Sequence, residues 1–175
     1  MVPDPGDKDT TGGVRGARHR LRGPSRIDAA APTPVKPPAT KPIAAKRRVL
    51  FVCIGNSCRS QMAEAFARAY GADIIEAQSA GVSPATFIAP LTKQTLGERN
   101  LNIDAHFPKG MELMRRQPFD VVVNMSGVPV RLPGARVIDW TVPDPIGHNE
   151  SYYRTVAEQI EGLVMRLILE LRTAS

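Results

Sequence analysis

The chain has 175 residues, 42% of them hydrophobic, with 23 Lys or Arg against 17 Asp or Glu and a formal net charge of +6. That excess is confined to residues 1–48, which carry +7 and eight of the 16 prolines, whereas residues 49–175 carry −1. A near-neutral folding region with no basic stripe interleaved with aromatics argues against a nucleic-acid partner, and no apolar run approaches the ~20 residues of a membrane span.

In chain order, residues 1–47 come first as a basic, proline-rich tail. Runs such as Ala31-Pro32-Thr33-Pro34 and Lys36-Pro37-Pro38 hold too little apolar surface to offset the entropy of ordering, so disorder or an extended linker is expected there. The tail lacks the apolar stretch of a secretory signal. Residues 48–175 are then the size of one ordinary domain. The two cysteines, Cys53 and Cys58, share one loop and make no disulfide framework. This points to a reducing compartment, a cytoplasmic protein and a catalytic use of sulfur.

Within the domain, residues 48–53 predict a first strand. Residues 60–70 predict a helix with Met62, Phe66 and Ala69 on one face, ended by Gly71. A second strand is expected over 73–78, a helix over 89–100 with Leu91, Thr92, Leu96 and Arg99 at helical spacing, and a short helix over 109–116. Strands follow at 120–124 and 136–139. The clearest element is a helix over 151–172, where Val156, Ile160, Leu163, Leu167 and Leu171 recur at three- and four-residue steps. Alternating strands and helices imply an α/β fold: a single three-layer domain with a four-stranded parallel sheet and helices on both faces. Ligands of such sheets bind at the carboxyl ends of the strands.

At the end of the first strand stands Cys53-Ile54-Gly55-Asn56-Ser57-Cys58-Arg59-Ser60. A loop passing from a strand into a helix start at Ser60 curls so that successive N–H groups point inward, and the helix adds the positive end of its dipole. Residues Ile54, Gly55, Asn56, Ser57, Cys58, Arg59 and Ser60 are thus the expected oxyanion-binding loop. Gly55 and Asn56 tolerate left-handed backbone angles, and Arg59 offers a planar fork of donors. The same positive field favours the thiolate of Cys53, making it a nucleophile at neutral pH. A proton donor is still required, and Asp144, stiffened by Pro143 and Pro145, is the candidate, with a turn-capping role as the alternative.

Residues 49–64, Val-Leu-Phe-Val-Cys-Ile-Gly-Asn-Ser-Cys-Arg-Ser-Gln-Met-Ala-Glu, resemble the signature of low-molecular-weight protein tyrosine phosphatases and of the arsenate reductases that share their fold. Ser79-Ala80-Gly81, His106, Phe119-Asp120 before Val121-Val122-Val123, and Asp144-Pro145 fall in the family's order, so the resemblance covers roughly residues 48–172. It implies a phosphatase-type phosphate-binding loop after strand one, with Cys53 as nucleophile, Arg59 as oxyanion holder and Asp144 as general acid. It implies further that Asn56, Ser60, Ser79 and His106 form a polar network holding the loop. Ser60 stands where its hydroxyl donates to the Cys53 sulfur and also where an N-cap falls. Asp120 reads as a strand cap, with a hydrogen bond to the loop arginine as the alternative, and Trp140 as a packing residue. Cys58 is either a small buried apolar residue or, as the resemblance supports, the partner of Cys53 in a reversible disulfide.

Phosphate and arsenate have nearly the same shape and charge. Ser57, Gln61 and the spacing from Trp140 to Asp144-Pro145 look like the arsenate reductases. The thioredoxin-linked reductases, however, place two more cysteines after the third strand, where this chain reads Asn124-Met125-Ser126-Gly127-Val128-Pro129-Val130. Ile146 and Gly147 stand where tyrosine-specific members offer aromatic rings, and Tyr152 and Tyr153 come later. The expectation is a cysteine-dependent phosphomonoester hydrolase acting through a thiophosphate intermediate. The alternative is an arsenate reductase served by an external thiol or glutaredoxin-like partner; a binding module without turnover is the third class. Phosphate, arsenate or a phosphorylated substrate is the expected ligand, with no metal and no cofactor.

Overall fold

The computed structural model describes residues 45–174. The tail expected over residues 1–47 lies outside the described residues except at its last positions, where Arg47 already opens the first strand. Four parallel strands, β1 (Arg47–Cys53), β2 (Ile75–Gly81), β3 (Val121–Asn124) and β4 (Arg136–Asp139), form one sheet in the order β2-β1-β3-β4. β1 is central, and its register sets Phe51 beside Ser79 and Val123 and sets Cys53 beside Gly81.

The two faces of β1 enter two different cores, as the two-residue period of a strand requires. Val49, Phe51 and Cys53 face α1 (Arg59–Tyr70), α2 (Pro90–Gly97) and α4 (Glu150–Thr173), packing with Met62, Phe66, Leu96, Val156 and Ile160. Leu50 and Val52 face a smaller layer built from Met114, Phe119, Val130 and Leu132 around the single-turn α3 (Met111–Met114). The expected helices on both faces are present, but the second layer is mostly loop.

Boundaries differ from expectation for local reasons. The second strand begins at Ile75 because Gly71 turns the chain, its carbonyl taking the amides of Ile74 and Ile75, and it runs on through Ser79 and Ala80 to Gly81 beside β1. The helix expected to reach residue 100 stops at Gly97. Asn100 adopts φ 58, and the amides of Leu101 and Asn100 fold back onto the carbonyls of Leu96 and Gly97 as a left-handed cap. The helix expected over 109–116 keeps one turn, since Lys109 and Gly110 are drawn into a bridge with Gly81. α4 starts one residue earlier than expected, on Asn149, whose side chain accepts from the Tyr152 amide at 3.0 Å. Among the described residues no helix is long and apolar enough to cross a membrane.

Candidate active site

The loop after β1 owes its shape to where its carbonyls go. The carbonyls of Cys53, Ile54, Gly55 and Ser57 accept from the amides of Val82, Ser83, Ala85 and Ala89, so the segment after β2 runs along the outside of the loop. The Asn56 carbonyl takes Gln61 Nε2 at 3.1 Å and the Cys58 carbonyl takes the Met62 amide at 2.9 Å. With every carbonyl from Cys53 to Cys58 turned outward, the amides of Ile54 through Cys58 are turned the other way. None of them donates to another group among the described residues. Such a ring of inward amides at a helix N-terminus is an oxyanion cradle.

Two residues make the curl possible. Of the two residues expected to tolerate left-handed angles, Asn56 adopts one, with φ 48, and Gly55 does not. Gly81 lies flat beneath the loop, where a Cβ would stand 2.6 Å from the Ile54 carbonyl oxygen and 2.8 Å from the Asn56 nitrogen. No side chain fits there.

Arg59 is 7% exposed and fixed on one side only. Its Nη1 donates to the Met125 and Val142 carbonyls at 2.9 and 3.1 Å, and its Nη2 donates to Asp144 Oδ2 at 2.6 Å. Arg59 Nε is buried with no partner among the described residues. A buried unpaired guanidinium donor is costly unless a ligand takes it, so this atom fits an oxyanion. Cys53 is 2% exposed, with its Sγ 3.0 Å from Ser60 Oγ. Around it opens a cavity of about 300 Å3 walled by Ile54, Ala85, Asp144 and Ile146, and among the described residues no aromatic ring lines it. Tyr153 is instead buried beside Cys58, its Oη 3.5 Å from the sulfur, and Tyr152 stacks on His148.

Beneath the loop the polar network is larger than the expected one, with Gln61 standing between His106 and Asn56. Asn56 Nδ2 donates to Ser60 Oγ and Ser79 Oγ, each at 2.8 Å, as anticipated. His106 does not reach Asn56: its Nδ1 lies 2.9 Å from Gln61 Oε1, and Gln61 carries the link to Asn56. Since Gln61 Nε2 faces three acceptors, its Oε1 accepts, and His106 donates from Nδ1. Burial lowers the His106 pKa, with Glu64 opposing and Arg68 and Lys109 adding to the effect. Sequence reasoning missed Glu64 and Lys109, and it noted Gln61 only as a reductase-like residue, not as a member of this network. The available signal was Ser60 and Glu64 one helical turn apart, on a face where an acid has to be paired to be buried.

Cys58 lies in the core. Burial pushes its thiol pKa up, outweighing hydrogen bonds from Thr92 and Tyr153, so it stays protonated beside Cys53. Asp120 caps β1, its Oδ2 accepting the Arg48 amide at 2.7 Å, and Trp140 packs its ring against Phe51. Both agree with their expected structural roles. Among the described residues no group of three or more His, Cys, Asp or Glu could hold a metal ion.

Comparison with known proteins agrees with this geometry. The family model described as low molecular weight phosphotyrosine protein phosphatase matches residues 48–175. The chain is 34% identical over 130 residues to the glutaredoxin arsenate reductase of Synechocystis sp., which spans 71% of this chain and 98% of that protein. It is 30% identical over 126 residues to an arsenate reductase of Bacillus cereus, covering 69% and 93%. Among solved structures, an arsenate reductase in the phosphate binding state has a TM-score of 0.66 at 33% identity, covering 71% of this chain and 98% of that one. An arginine phosphatase from Geobacillus stearothermophilus has a TM-score of 0.65 at 28% identity, covering 73% and 94%. The chain belongs to the low molecular weight phosphotyrosine protein phosphatase family and is an enzyme of that kind.

Proposed function

We propose that this enzyme is a cysteine-dependent phosphomonoester hydrolase working through a thiophosphate intermediate. The observation that carries the reading is the cradle itself, with inward amides from Ile54 through Cys58, the unpaired Arg59 Nε and Cys53 at the floor. In this mechanism Cys53 Sγ attacks phosphorus in line while the amides and Arg59 hold the equatorial oxygens. The S–P bond forms as the P–O bond to the leaving group breaks, and Asp144 gives its proton to the departing oxygen. Asp144 then takes a proton from the water that attacks phosphorus, which releases phosphate and restores Cys53. The Asp144 side chain, 45% exposed, turns from Arg59 toward the leaving group to do this. The aliphatic walls Ile54, Ala85 and Ile146 favour phosphomonoesters at large over phosphotyrosine in particular. Two free cysteines suit a reducing, cytoplasmic setting.

The similarity to arsenate reductases favours a second reading, arsenate reduction, because the cradle accepts either oxyanion. Electrons from a cysteine–arsenate adduct then require an external thiol or a glutaredoxin-like partner. The chain has two cysteines, and the turn after β3 carries the hydroxyl of Ser126 and no thiol. Assays with p-nitrophenyl phosphate, and with arsenate plus glutathione and glutaredoxin, separate the two. Hydrolysis without reduction is expected, and reduction with feeble hydrolysis would reverse the assignment. Asp144→Ala should cut phosphatase turnover by about 10²- to 10⁴-fold with vanadate binding retained; unchanged turnover removes Asp144 from the mechanism.

A further inference from the structure

The two edges of the sheet are finished differently. In β4 the Arg136 amide donates to the Asp120 carbonyl at 2.9 Å and the Trp140 amide to the Asn124 carbonyl at 2.8 Å, so Arg136, Ile138 and Trp140 turn their backbone toward β3. The alternate residues of a parallel ladder point their N–H and C=O groups the other way. Those are Val137 and Asp139, and among the described residues nothing pairs with their backbone. At the opposite edge the chain covers itself. Ile75 donates to the Gly71 carbonyl, Gly81 to the Lys109 carbonyl, and Arg68 Nε to the Ala77 carbonyl. Short length and charge are the usual guards of a bare edge. In β4, however, the charges are engaged within the fold: Arg136 is tied to Glu170 at 2.8 Å, and Asp139 Oδ1 accepts from Asn124 Nδ2 at 2.8 Å. Beside the edge opens a cavity of about 660 Å3, with Val137 as one wall and Val130, Leu132, Pro133 and Ala135 among the others. Arg131 stands in the same lining and has no hydrogen bond or ion pair among the described residues.

We propose that the outer edge of β4 is a docking site for an extended segment of a partner protein, which adds to the sheet as a further strand, seats an aliphatic side chain in the cavity and sets a carboxylate against Arg131. Backbone pairing selects an extended chain, because free N–H and C=O groups at two-residue spacing match a strand and no helix. The side chain opposite Val137 in an added strand falls on the same face of the sheet, over the aliphatic lining. The Asp139 carboxylate also borders the cavity, but Asn124 holds it, so Arg131 is the charge left to match. The site is independent of the reaction at Cys53. It is nevertheless next to it, since the chain passes from β4 to Val142, whose carbonyl holds Arg59, and on to Asp144.

The test titrates the full chain with a short peptide of alternating valine and threonine in which one valine is replaced by glutamate, followed by amide NMR. The Val137 and Asp139 amides should shift, and at saturation they should exchange with deuterium about tenfold more slowly or less. N-methylating the peptide at one alternate set of residues should weaken binding about tenfold, while methylating the other set should leave it within about twofold. Val137→Pro removes an outward N–H that the ladder to β3 does not use. The variant should keep the parent's rate on p-nitrophenyl phosphate and bind the peptide about tenfold more weakly. Arg131→Gln should erase the preference for the glutamate peptide over its lysine counterpart. Equal losses from both methylation patterns, undisturbed Val137 and Asp139 amides, or a folded Val137→Pro that binds as the parent does would overturn the proposal. So would protection of those amides without peptide together with dimers in sedimentation, which would give the edge to a second copy of the chain.

Discussion

The loop after β1 and the turn after β3 leave neighbouring strands at the same end of the sheet, with Val52 beside Asn124, and both are rich in Asn and Ser. They use these residues oppositely. Asn56 sends its amide across the fold to Ser60, Ser79 and Lys109, and the loop carbonyls are tied from outside, so the loop amides stay free. Asn124 closes on its own turn: its Oδ1 takes the amide and hydroxyl of Ser126, and its Nδ2 donates to the Val128 carbonyl and to Asp139. An anion cradle thus depends less on residue type than on whether distant elements or the turn itself satisfy the backbone.

Five substitutions, the last paired with a titration, test that contrast, from the largest effect down. Cys53→Ser should lower phosphatase turnover by roughly four orders of magnitude or more while vanadate still binds; residual turnover within about tenfold of the parent would mean that the cradle acts without its thiol. Gly81→Ala drives a methyl into the underside of the loop, and kcat/KM should fall about 10²-fold with a lowered Tm. Asn56→Ala and Asn124→Ala should part company. The first should cost about 10²-fold in kcat/KM, and the second about 1–3 kcal/mol of stability but tenfold or less in rate. Its turn touches the site through the Met125 carbonyl on Arg59. Equal kinetic losses would erase the distinction.

The smallest effect concerns His106. Burial holds its pKa below the ordinary 6.5, so the unfolded chain takes up the proton first as pH falls. Stability from this residue is present above pH 6.5 and is lost on acidification through the depressed folded value. Denaturant midpoints at pH 7.5 and 5.5 should show a drop that His106→Gln reduces; an identical drop in the variant would assign it to other groups.

Among the described residues the apolar pattern located the strands and helices, because burial of β1 and the amphipathic stripe of α4 are written in residue order. Ends were less legible, as they depend on caps and bridges such as Asn100 and the pairing of Gly81 with Gly110. At the site, Cys53, Arg59, Asn56 and Ser60 were readable since they are close in sequence. Glu64, Lys109 and the ladder from residues 82–89 were not, since their meaning lies in contacts between segments far apart in the chain. His106 was placed in the right network, but through Gln61 and not directly.

That ladder has a consequence for how the protein can change. Val82, Ser83, Ala85 and Ala89 hold the loop through backbone N–H groups, and residues 82–87 all have exposed side chains. A substitution there alters what the outer surface presents, yet it leaves the donating amide in place unless the new residue is proline. The chemistry is anchored to the part of the peptide common to nearly all amino acids, and the surface beside the mouth is left free to diversify.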